Sequence, residues 1–105
     1  MSTSGANADA LAADTKLLTA VSKIKRFYTD YEEATKAPGS DSLDEWKKSF
    51  ADGYAAYIAA VIEVVRDYGC PGLHGDVDKC INIIKFFGLD AKSDELQKEL
   101  AKRSQ

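Results

Sequence analysis

The chain has 105 residues, 45% of them hydrophobic and 30% charged, with 14 basic and 17 acidic residues for a net charge of −3. That length is one domain, and the balance is globular rather than disordered. The acidic excess argues against unspecific nucleic-acid binding, and two cysteines are too few for a disulfide-stapled scaffold.

The first residues, Met1 to Asp9, are small and polar, with neither a basic start nor an apolar core. They do not read as a secretory signal, so residues 1–8 are expected to be a flexible N-terminus ahead of a single helical domain over 9–105. The most apolar window, Tyr54 to Val65, is far shorter than the roughly 20 residues that span a bilayer. The expectation is a cytoplasmic protein that uses no membrane.

From about Asp9 to Lys36, residues Leu17, Leu18, Val21, Ile24, Phe27, Tyr28 and Tyr31 recur at steps of three and four. That is the stripe of an amphipathic helix. Lys23, Arg26, Asp30 and Glu33 recur at the same steps on the opposite side as a mixed-charge stripe. Ala37-Pro38-Gly39-Ser40 ends the helix.

Ser42-Leu43-Asp44-Glu45 is a capping box that starts the second helix. Leu43, Phe50, Tyr57 and Val64 recur every seven residues, with Trp46, Tyr54, Val61 and Tyr68 as the second line of a packing seam. Ile58, Ile62 and Val65 add a second apolar flank. Gly69 is placed to end the helix, and Cys70-Pro71-Gly72-Leu73 is the next turn.

Asp76 to Phe87 reads as a third helix, capped by Asp76, with Val77, Cys80, Ile81, Ile84 and Phe87 on one face and Ile83 and Phe86 widening it. This helix is expected to cover Ile58, Ile62 and Val65. A short fourth helix is expected from Ser93, as N-cap, through Leu96 and Leu100. No run shows the strict alternation of a strand. The fold class is therefore all-α: a long antiparallel two-helix hairpin plus one or two shorter helices, closing a small four-helix bundle or closing partly against a second copy as a homodimer.

Cys70, His74 and Cys80 are spaced C-x3-H-x5-C, one ligand short of a zinc site. Cys80 reads as a core residue, Cys70 as closing helix two, and His74 as a loop residue. A Cys70–Cys80 disulfide would require an oxidising compartment. Neither a nucleophile motif nor a phosphate-cradling glycine loop is present, so the chain reads as a non-enzyme without cofactor or metal. The aromatic residues of the two long helices read as core, with the lining of a ligand cavity as the alternative.

Phe27-Tyr28-Thr29, then Glu45-Trp46, Phe50, Tyr54 and Gly72-Leu73, resemble the last helices of the N-terminal helical domain of adenylyl cyclase-associated proteins. The resemblance covers about 45 residues and rests on aromatic core positions. Those proteins are actin-turnover factors, so it implies a helical bundle and an actin-turnover role. No functional residue carries over from it.

The functional expectation is a protein-protein interaction module, an adaptor, inhibitor or effector-like protein. Its surface would be the stripe of Lys23, Arg26, Asp30 and Glu33, or an apolar groove between the hairpin and the third helix. The alternatives are the actin-turnover module and a small-ligand carrier with an aromatic-lined cavity.

Overall fold

A computed structural model describes residues 2–39, 42–70 and 72–103. Met1, Ser104, Gln105, and Ser40 and Pro71 of the two turn signals, lie outside the described residues. Four helices follow one another: α1 (Ser2–Thr35), α2 (Leu43–Tyr68), α3 (His74–Phe86) and α4 (Asp90–Arg103). No strand occurs among the described residues. The chain is an all-α bundle.

Local chemistry sets several of the ends. Ser42 is extended (φ −70°, ψ 156°), and its hydroxyl oxygen accepts the Glu45 N–H at 3.4 Å, the expected cap of α2. Asp44 and Glu45 place negative charge at the positive end of the helix. At the other end the Gly69 N–H donates to the carbonyls of Val64 and Val65, both at 3.1 Å, with φ 79°. α1 begins at Ser2, ahead of the periodic pattern that starts near Asp9.

The helices form a square. α1 packs against α2 and α3, and α4 packs against the same two, so α1 and α4 face each other across a diagonal. Leu17 and Ile24 of α1, Phe50, Ile58, Val61 and Val65 of α2, Val77, Cys80 and Ile84 of α3, and Leu96 of α4 meet in one core at 1% exposure or less. Each large aliphatic side chain so buried contributes about 1.5–3 kcal/mol. The long hairpin gives the molecule extents of 58 × 24 × 22 Å.

Several expectations about the ends and faces need correction. α4, not α3, packs against α2, and Ile62 lines a shallow surface hollow with Lys92 and Glu95 of α4. Asp76 does not cap α3: Leu73 holds that position, and Asp76, inside the first turn, pairs with Lys25 of α1. His74 is the first residue of α3 rather than a loop residue. Ser93 does not cap α4, which starts at Asp90; its buried hydroxyl donates to the Ile81 carbonyl at 3.1 Å and ties α4 to α3. The seam of α2 also stops short, because Tyr68 is exposed, and Leu18 lies off the buried stripe of α1, exposed as well.

Candidate functional site

The junction of α1 and α3 leaves a groove of about 440 Å³. α1 supplies Lys25, Tyr28 and Thr29, spaced i, i+3 and i+4. α3 supplies Lys79, Asn82, Ile83 and Phe86, spaced i, i+3, i+4 and i+7. Each set lies on one face of its helix, because residues three and four apart are surface neighbours. The two faces meet because Val21 and Ile24 of α1 and Val77, Cys80 and Ile84 of α3 are packed below them in the core.

The floor is apolar. Ile83 is buried, Tyr28 is half-buried, and Phe86 is 39% exposed. The Tyr28 and Phe86 rings stand edge to face at 5.4 Å and 89°, which suits their opposed quadrupoles. Tyr31 closes on Phe86 from the next turn at 5.4 Å.

The rim toward the start of α3 is cationic. The Lys25 ammonium donates to Asp76 Oδ1 at 2.8 Å across the junction. That hydrogen bond holds the Asp76 carboxyl below its ordinary pKa and the Lys25 ammonium above its own. Lys79 acts on the same carboxylate, so two cations share one anion there. A shallower hollow of about 480 Å³ continues along α1, lined by Ser22, Lys23 and Arg26 with Lys25 and Thr29 in common.

The four residues singled out from the sequence are all exposed. Lys23 and Arg26 line this continuous surface. Asp30 lies one turn on and pairs with Arg26 at 3.6 Å. Glu33 is not brought to the surface in question: it pairs with Lys36 at 3.2 Å and lines neither hollow. Lys79, Asn82 and Phe86 were not singled out as a binding set. The signal available for them was their own helical spacing on α3, which is half polar and so resembles an ordinary solvated face.

The aromatic residues at the turn end of the hairpin pack on one another. Phe27 touches Phe50, Tyr54, Trp46 and Phe87 with ring centres 4.7–5.3 Å apart. Trp46 Nε1 is buried without a hydrogen-bond partner among the described residues. Cys80 is fully buried, its Sγ 4.0 Å from the Val21 carbonyl oxygen, and neither cysteine is in a disulfide among the described residues. Among the described residues, no group of three or more His, Cys, Asp or Glu side chains is placed to hold a metal ion. None of the described helices is long and apolar enough to cross a membrane.

No family model matches the chain, and neither a curated protein nor a solved structure does. The likeness to adenylyl cyclase-associated proteins therefore rests on the quoted residues alone.

Proposed function

We propose that this chain is a non-catalytic protein-interaction module that works through the joint surface of α1 and α3. The observation that carries this reading is the groove: an exposed aromatic ring over an apolar floor, continuous with a cationic strip, on two packed helices. Apolar centre and charged rim are the anatomy of a protein interface. The absence of catalysis is supported by the placement of the two reactive residue types. The Cys80 thiol is sealed in the core, while His74 is exposed at the start of α3. The carrier alternative has less support, because the aromatic rings fill the space between the helices themselves.

The test is photo-crosslinking in cells that make the protein, with Phe86→p-benzoylphenylalanine in the groove and Asp52→p-benzoylphenylalanine on the exposed side of α2. The expected result is a discrete protein adduct from position 86 and none from position 52. Excess unmodified protein should suppress it, and excess Phe86→Ala protein should not. No adduct from position 86, or the same adducts from both positions, would refute the reading.

A further inference from the structure

We infer that the groove takes an acidic peptide segment of its partner, with one or two Asp or Glu side chains beside a large apolar anchor. The inference rests on the interaction reading above and names the chemistry of the occupant.

Charge complementarity carries it. The whole chain has a net charge of −3. Yet Lys23, Lys25, Arg26 and Lys79 line the groove and its continuation, with no carboxylate among the lining residues. Only Asp76 and Asp30 pair with these four cations among the described residues, so the surface keeps two positive charges in excess. The surface is opposite in sign to the molecule that carries it, which favours an anionic partner docked in one place.

The groove also has a direction. Its cationic end lies at Lys25 and Lys79, toward the start of α3. Its aromatic end lies seven residues beyond Lys79 on α3, at Phe86. The order in the occupant follows: carboxylates over Lys79 and Lys23, the two cations left in excess, and the anchor against the Tyr28–Phe86 pair.

The same surface does not suit a nucleic-acid strand. Polyanion binding draws its affinity from counterions released by many phosphate contacts. Two excess charges on an acidic protein supply too few. A peptide with one or two carboxylates matches that number, and the apolar floor provides the remainder of the contact.

The experiment is selection of a displayed random dodecapeptide library on the intact protein. Binders are then measured by fluorescence anisotropy on wild type, Phe86→Ala and Lys23→Glu/Lys79→Glu protein. A dodecamer of polyuridylate is measured alongside. Folding of each variant is checked by helical circular dichroism, which these exposed positions should leave unchanged. The expected binders carry Asp or Glu within one turn of Phe, Trp, Tyr or Leu. They should bind Phe86→Ala and the charge-reversed protein each about tenfold more weakly, and lose affinity as salt rises. Binders that need Phe86 but show no acidic preference would overturn this inference and leave the interaction surface standing. Binders indifferent to Phe86→Ala, or no binders at all, would overturn both. Tighter binding of polyuridylate than of any peptide would overturn the acidic-peptide assignment in favour of a nucleic-acid strand.

Discussion

Cys80 sits in the core between α3 and α1, and burial pushes its thiol from the usual 9.0 up to about 12. The nearby Lys25 charge opposes that rise and Asp76 adds to it. In the unfolded chain the thiol ionises above about pH 9, while in the folded chain it stays protonated until about 12. Over that window the unfolded chain binds fewer protons, so stability falls as pH rises, by up to about 1.4 kcal/mol per pH unit. Below pH 9 the contribution is complete and constant. Urea unfolding from pH 8 to 10.5 should therefore show a steeper decline for wild type than for Cys80→Ala. The variant starts lower, by about 1 kcal/mol for the lost packing, but equal slopes would count against the buried protonated thiol. Reading Cys80 as core was open to the sequence, because the residue shares a helical face with Val77, Ile81 and Ile84. The roles of Asp76 and Ser93 were not. Each has the chemistry of an N-cap, and each instead serves a partner distant in the chain, Lys25 and the Ile81 carbonyl. A local rule cannot separate a capping hydroxyl or carboxylate from one that reaches another helix.

α2 carries two glycines whose substitution by alanine should move stability in opposite directions. Gly69, just past its end, has φ 79° and ψ −167°, a conformation almost closed to residues with a Cβ. Its N–H also holds two carbonyls of the last turn. Gly69→Ala should lower stability by about 1–3 kcal/mol. Gly53 lies inside the helix on its exposed face, and an added Cβ would meet nothing within 4 Å. Gly53→Ala should raise stability by up to about 1 kcal/mol, through helix propensity and a less free unfolded chain. Urea midpoints with unchanged slopes check both, and a loss at Gly53 or no loss at Gly69 contradicts the account. These ends were legible because Ser42, Glu45 and Gly69 act within one helical turn. The partner of the α2 flank was not, because both α3 and α4 offer apolar stripes of the right period. What decides is the path of the chain. α3 returns along α1, its Phe86 reaching Tyr28 and Tyr31, and α4 is left to close the square against α2.

At the scale of the molecule, the groove and the core depend on the same closure. The half of the groove on α1 was partly visible through Lys23 and Arg26 of the mixed-charge stripe. Its other half is a polar-apolar mixture on α3 that acquires meaning only when α3 is laid beside α1. α3 is held there from below by α4, through Leu96 at the centre of the core, Leu100, and the Ser93 bond to Ile81. A domain of this size is stable by only about 5–15 kcal/mol. Leu96→Ala removes a fully buried side chain and should cost about 2–5 kcal/mol, a large part of that margin. Ending the chain after Leu89 should go further. It bares the α4-facing sides of both α2 and α3 while leaving the aromatic end intact. The truncated protein should keep much of its far-ultraviolet helical signal. It should lose the sharp near-ultraviolet signal of Trp46 and the tyrosines, bind a hydrophobic dye, and melt without a cooperative transition. The Phe86 groove should then no longer discriminate among peptides, because its α3 wall is no longer fixed against α1. A truncated chain that melts cooperatively with a native near-ultraviolet spectrum would mean that α1, α2 and α3 suffice, and that α4 is an addition to the bundle rather than its closing side.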